Sequence, residues 1–367
     1  MKILFVIQGE GRGHMTQAIA LKEILEKNGH ELVAALVGKS KRRELPDFVK
    51  TKLNVPIYRF DSPNFVPSPR NKRANVWRTI ALNFIHPLSY INSIKFIREK
   101  INETDADVVV NFYDMLTGLA YMFFPPKRPH ISVSHQNLFL HPKYRFPQEN
   151  KSELLMLRIY THLTTVRASR RYALSMEKWE DVPQKKIIVV PPLLRREVLD
   201  SEVTAGNYVH GYMLNPGYAD QIIDFQKAHP EQEMHFFWDK KDVDDTFKVN
   251  DKLFFHKIND MLFIKYMSGC YSYATTAGFE SVCEAMYMGK PALMVPTHIE
   301  QACNGYEASL AGAGIMREEF DLEALSDFAK DYEPKDTFRE WVGQAETYWS
   351  KELLEWEKNV SKLSTPT

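Results

Sequence analysis

The feature that most constrains the fold is an alternation of short apolar runs with amphipathic stretches. It occurs twice, interrupted at Pro191-Pro192. In the first pass, residues 2–7, 31–36, 107–111, 130–134 and 186–190 are apolar runs of strand length. Residues 15–28 carry Ala18, Leu21, Ile24 and Leu25 at helical spacing, with Gly29 as a stop. A polar stretch follows the prolines to Asn207, and the pattern restarts. Strands are expected over 208–213, 234–238, 252–255, 270–273 and 291–295, and helices over 218–228, 259–267 and 281–288. Runs buried on both faces and separated by helices require parallel sheets covered on both sides. The expected architecture is α/β, with two Rossmann-like domains (1–195 and 205–336) whose strand ends face a common cleft. The tail, 337–367, is expected to form a helix over 337–359 bearing Phe338, Trp341, Tyr348, Trp349 and Trp356. That aromatic surface favours crossing back onto the first domain over packing on its own.

Composition narrows the class. No apolar run reaches the ~18 residues of a membrane-spanning helix. The N-terminal run is too short for a signal peptide. Cys270, Cys283 and Cys303 are odd in number and lack metal-ligand spacing, and they read as reduced thiols of a cytoplasmic protein. The zero net charge hides a division: residues 1–200 hold 32 Lys+Arg against 19 Asp+Glu (net +13), and residues 201–367 hold 15 against 28 (net −13). Either the basic half faces an anionic surface, or the halves attract each other across the cleft.

The first strand runs into QGEGRGHMTQ, residues 8–17. A dinucleotide-binding loop of the form glycine-x-glycine-x-x-glycine, started at Gly9, would need its last glycine where His14 stands. The acidic residue ~20 positions on is also missing, with Val37-Gly38-Lys39 at the end of the second strand. A nicotinamide or flavin cofactor is therefore not expected, and no other cofactor is. Gly11 and Gly13 permit a tight turn and close approach of a ligand. His14 falls at the start of the following helix, where the dipole disfavours the imidazolium. A neutral imidazole at the mouth of a cleft suits a base that takes a proton from a hydroxyl; otherwise His14 caps the helix. Asp114, in NFYDMLTG at the end of another strand, either orients that base or caps the helix at 115–122.

The densest signal is TTAGFESVCEAMYMGKPALMVPTHIEQACN, residues 275–304. A strand ends, Ala277-Gly278 turns, and a helix starts whose free N–H groups favour a diphosphate. Thr275, Thr276 and Ser281 add hydroxyl donors. Glu284 can accept two hydrogen bonds from a ribose diol, and Glu300 with Gln301 suit sugar hydroxyls. Asn304 lies on the helix behind them. This stretch resembles the donor-binding signature of the GT-B glycosyltransferases, families 28 and 1, of the peptidoglycan lipid-precursor N-acetylglucosaminyltransferase and galactolipid synthase type. The motif positions are Gly278, Glu284, Gly289 with Pro291, Glu300 with Gln301, and Asn304. FHKINDM resembles the family stretch in which backbone near Ile258 meets the nucleotide base, and GRGH resembles the N-terminal loop whose histidine is the base in family 1. The resemblance implies an inverting glycosyltransferase using a nucleotide-diphosphate sugar, a UDP-sugar foremost. Two positions depart from family 1, which places a phosphate-binding histidine near Thr276 and an asparagine near Glu280. An ionised Glu280 would repel a diphosphate unless it pointed away, capped the helix or bound the sugar.

Asp242-Val243-Asp244 mimics a metal-binding Asp-x-Asp but sits in the charged run WDKKDVDDTF and reads as a solvated loop, so no metal is expected. On the acceptor side, His135 and Gln136 in SHQNLFLHP follow a strand and are candidate contacts to a lipid-linked, glycan or small-molecule acceptor. Arg70, Lys72, Arg73 and Arg78 border an apolar stretch, 77–97, which is either a core helix or one lying on anionic lipid at the inner face of the membrane. Nucleic acid is not an expected partner. The competing functions are a sugar-nucleotide epimerase or hydrolase on the same fold, and an inactive nucleotide-sugar-binding protein.

Overall fold

The structure is a computed structural model describing residues 1–39, 44–63, 87–214, 216–240 and 244–364. The basic cluster Arg70, Lys72, Arg73 and Arg78, the first ten residues of the stretch 77–97, and Asp242-Val243 lie outside the described residues.

The first half contributes β1 (Lys2–Ile7), β2 (Glu31–Lys39), β3 (Ile57–Asp61), β4 (Val108–Phe112), β5 (His130–Ser134), β6 (Arg171–Leu174) and β7 (Ile187–Val190). They form one parallel sheet in the order β3-β2-β1-β4-β5-β6-β7. Its helices are α1 (Arg12–Lys27), α2 (Asp47–Leu53), α3 (Pro87–Glu103), α4 (Met115–Phe123), α5 (Lys151–Thr164) and α6 (Arg196–Leu199). The second half contributes β8 (Tyr208–Met213), β9 (Glu233–Trp238), β10 (Thr246–Lys248), β11 (Leu253–Lys257), β12 (Ser272–Thr275), β13 (Ala292–Met294) and β14 (Gly314–Met316). Their order is β10-β11-β9-β8-β12-β13-β14, parallel except for the β10–β11 edge pair. Its helices are α7 (Ala219–Ala228), α8 (Asp260–Gly269), α9 (Phe279–Tyr287), α10 (Ile299–Leu310), α11 (Leu322–Lys330), α12 (Asp336–Gly343) and α13 (Ala345–Ser364).

Both sheets reverse their winding at the first strand. β1 lies between β2 and β4, and β8 lies between β9 and β12. Helices leaving such a strand and its reversed neighbour go to opposite faces, which opens a crevice at the strands' C-terminal ends. Ile3 to Ile7 are wholly buried, as a strand covered on both faces must be. One apolar cluster crosses between the halves, from Phe5, Met15 and Leu21 through Phe263, Phe279 and Val282 to Trp349 and Trp356, while two others lie wholly within one half each.

Three boundaries differ from expectation in ways that matter. α1 begins at Arg12, with Gly11 as an extended N-cap, so Gly13 and His14 belong to the first helical turn rather than to a loop. β12 runs to Thr275, because Cys270 still terminates α8. The C-terminal helix is two, α12 and α13, divided at Gln344. The division lets each piece dock separately. Trp341 of α12 donates from Nε1 to Ser175 O at 2.9 Å, and Arg339 Nε donates to Tyr287 O of α9 at 2.6 Å. α13 returns to the first half, where Trp356 Nε1 donates to Tyr172 Oη (2.5 Å) and that hydroxyl donates to Glu352 (2.7 Å). Trp349, fully buried, lies with its ring centroid 4.8 Å from that of Tyr172.

Replacing Trp349 by alanine leaves a cavity under α13 that neighbouring rings cannot fill. The expected cost is about 3–5 kcal/mol, read as a lower denaturant midpoint, whereas Leu354→Ala on the exposed face of α13 should leave the midpoint in place.

Candidate active site

The crevice of the first sheet is built by the chain leaving β1 and β4. Gly9 is obligatory for packing, since a Cβ there would lie 1.8 Å from Gly38 O at the end of β2. Gly13 has a similar reason: a Cβ would lie 2.9 Å from Cγ of Glu280, which reaches across from α9. The glycines thus admit the protein's own backbone and a side chain from the other half. His14 is buried, its ring centroid 5.4 Å from that of Tyr113, and its Nδ1 has no hydrogen-bond partner. Tyr113 turns the chain after β4 with φ of 59°, a conformation non-glycine residues adopt rarely and at some cost.

The expected pairing of His14 with Asp114 is not made. Asp114 caps α4: its Oδ1 accepts from Thr117 N and from Thr117 Oγ1, each at 2.7 Å. Those two short-range donors are fixed by the helix start itself and occupy Oδ1 alone, while Oδ2 is buried without a hydrogen bond among the described residues.

The second crevice mirrors the first. β12 ends at Thr275, Ala277 takes φ of 57°, and Gly278 is the extended N-cap of α9. Asn304 Nδ2 donates to Ala277 O (3.3 Å), holding the turn from α10. Thr275 and Thr276 are buried, and Thr276 Oγ1 accepts from Leu214 N (3.4 Å). Ser281 Oγ donates to Gly278 O (3.2 Å) in the first turn of α9. Gln301 folds back to accept from Thr297 N (2.9 Å) and Thr297 Oγ1 (2.6 Å), so it shapes the loop before α10. Ile258 is half-buried between β11 and α8.

The two crevices meet, and several expected ligand contacts are engaged in joining them. Glu284 accepts from Arg195 Nε (2.8 Å) and Nη2 (2.6 Å). Arg195 and Arg12 both reach Asp260 Oδ1, at 3.6 and 3.1 Å. Glu300 accepts from Gln136 Nε2 (2.8 Å), and Glu280 accepts from Gln17 Nε2. His135 is fully buried rather than lining an open acceptor cleft. Its Nδ1 donates to Leu174 O (2.9 Å), its ring stacks on Phe279 at 3.9 Å, and its Nε2 lies 3.4 Å from Glu307 Oε2. Enclosure between β6 and α9 leaves it no free face. Gln17, Arg195 and Glu307 were not legible as site residues. For Gln17 the available signal was its position one helical turn after His14.

A family model described as glycosyl transferase family 1 matches residues 1–332. No curated protein matches the chain in sequence. Among solved structures, the glycotransferase of kitacinnamycin superposes with a TM-score of 0.67 at 14% identity, over 97% of this chain and 98% of its own. Arabidopsis thaliana UGT89C1, solved in complex with UDP-L-rhamnose, gives 0.60 at 16% identity over 99% of each chain. The glycosyltransferase VinC, in complex with dTDP, gives 0.57 at 12% identity over 99% of this chain and 100% of its own. At these identities the likeness is one of fold, the two-sheet GT-B plan.

The buried site suppresses charge. Burial pushes Glu280 and Glu307 up to about 8, raises Glu284 and Glu300, and moves Asp114 up to about 6. It pushes His14 and His135 down to about 4, against the opposing effect of Gln17 on His14. Between pH 4.5 and 8 the folded protein therefore keeps protons on Glu280 and Glu307 that the unfolded chain releases, and stability falls as pH rises through that window. The two histidines act oppositely, but only below their ordinary value of 6.5. From pH 6.5 to 8 the carboxyls alone remain, worth about 2 kcal/mol each. The melting temperature should drop across this interval, and Glu307→Gln should flatten the drop; a melting temperature rising from pH 6.5 to 8 would contradict the assignment.

Proposed function

Because the chain belongs to glycosyl transferase family 1, we propose that it moves a sugar from a nucleotide-diphosphate donor, a UDP-sugar foremost, to the hydroxyl of an acceptor, with inversion at the anomeric carbon. One observation carries this reading. The first turn of α1, holding His14, and the N-terminus of α9 lie against each other, with Glu280 passing over Gly13 to Gln17. A base and an anion-binding helix end are thereby adjacent, as in-line displacement needs.

In this mechanism the acceptor hydroxyl gives its proton to His14, which burial keeps neutral and able to accept. The hydroxyl oxygen attacks the anomeric carbon and the bond to the diphosphate breaks. The leaving charge settles on the N–H groups at the start of α9 and on the Ser281 hydroxyl, which exchanges its bond to Gly278 O. Glu284 holds the ribose diol by exchanging Arg195 for it, and Asp260 stays beside Arg195 to take the released guanidinium. Gly278 and the Thr275-Thr276 strand end shape the phosphate turn, Ile258 borders the base, and Glu300 with Gln301 and Asn304 border the sugar. Glu280, held protonated by burial, presents no charge to the diphosphate, which meets the objection raised by its position. Helix dipole and hydroxyls supply the stabilisation, so activity needs no metal. The family model and the nucleotide complexes of structural neighbours support the donor class.

A thermal-shift panel of UDP, dTDP and GDP with their sugars should give stabilisation by one nucleotide series, abolished in Glu284→Ala. With that donor, turnover should persist in chelator and fall at least ~10³-fold in His14→Ala while the thermal shift remains. No shift from any nucleotide diphosphate would refute the donor site. Consumption of donor that ignores every acceptor would favour a hydrolase or epimerase instead.

We further propose that the basic half rests on anionic membrane. The described start of α3 carries Leu88 at 75% and Ile91 at 43% exposure, in a half with net charge +13. Phosphatidylglycerol-rich vesicles should co-sediment the protein at low salt and release it at high salt; no binding at low salt ends the idea.

A further inference from the structure

His14 lacks the carboxylate partner that would orient it, yet its environment is not indifferent. Gln17 lies three residues further along α1, on the same face of the helix and almost wholly buried. Two buried atoms in this pair are without hydrogen-bond partners: Nδ1 of His14 and Oε1 of Gln17. The other end of the Gln17 amide is taken, since Nε2 donates to Glu280 Oε1 from the second half of the chain. That bond fixes which end of the amide faces the imidazole. Oε1 only accepts, so an imidazole nitrogen that hydrogen-bonds to it must carry the proton. Gly13 makes the arrangement possible by leaving room for the Glu280 side chain, and the Tyr113 ring flanks the imidazole.

We infer that Gln17 is the positioning residue for His14. Its Oε1 accepts the proton on Nδ1, leaving the lone pair of Nε2 for the acceptor hydroxyl, and Glu280 of the opposite domain holds the amide in that orientation. The inference rests on the role proposed above for His14 and extends it. The tautomer of the base is set by a contact between the two halves, so the lone pair is presented to the acceptor only when α9 is seated against α1. A buried amide does here what a carboxylate does in a charged dyad, without adding a negative charge beside the departing diphosphate.

The test reads the imidazole directly and needs no substrate. In protein labelled with ¹⁵N at histidine, the shifts and couplings of the two ring nitrogens report the His14 tautomer, assigned by its disappearance in His14→Ala. The expected result is Nδ1–H in the wild type at neutral pH. Gln17→Leu should abolish that preference, and Gln17→Glu, which keeps an acceptor at the same reach, should restore it and raise the pKa of His14. Glu280→Gln retains a carbonyl acceptor for the amide and should preserve the tautomer, whereas Glu280→Ala should release it. If Gln17→Leu proves unfolded by circular dichroism, the Glu280 pair decides. An Nε2–H tautomer in the wild type, or one unchanged in a folded Gln17→Leu or in Glu280→Ala, overturns the inference while leaving His14 as the base. Unchanged turnover in His14→Ala would instead remove the reading on which it rests, with the tautomer result intact.

Discussion

Polar groups buried where the two sheets meet must be paired or neutral, and that constraint organises the molecule. The cleft between the halves is crossed by Arg195 to Glu284, Gln136 to Glu300 and Gln17 to Glu280. Each brings a side chain of the basic half, or an amide, to a carboxyl of the acidic half. An unpaired charge in such surroundings costs several kcal/mol. Hence Glu284 takes the guanidinium of Arg195, and Glu280 and Glu307 keep their protons.

Much of the fold was legible because it rests on local pattern. The strands His130–Ser134 and Tyr208–Met213 match expectation residue for residue, since runs buried on both faces need no other information. Less legible were β6, four residues opened by Arg171, and β10, wholly exposed with a polar pattern. Neither carries a periodicity that distinguishes it from loop. The start of α1 lies earlier than expected because glycines argue for a loop, whereas here Gly9 and Gly13 are needed for approach by Gly38 and Glu280.

Of the candidate site, the places in the fold were legible and the pairings were not. His14, Asp114 and Gly278 fall just past the strand ends where the doubly wound plan puts chemistry, and Glu284 lies in the second turn of the helix after one of them. Their partners are set at long range. Glu284 meets Arg195 across 89 residues, and Gln17 meets Glu280 across 263. Asp114 shows the converse: its Oδ1 is taken by a donor pair three residues away. Left-handed residues at both strand-to-helix turns, Tyr113 and Ala277, had no sequence signal, because such strain is imposed by the packing around it.

The tail has a mechanical consequence. The chain passes from the first sheet to the second after β7, and returns through α12 to lay α13 on β6. Two bodies tethered at a pair of pivots keep a single swing, about the line through both. Entry of reactants along that swing keeps both tethers intact, whereas shear or twist would also have to break the contacts of α13 on β6.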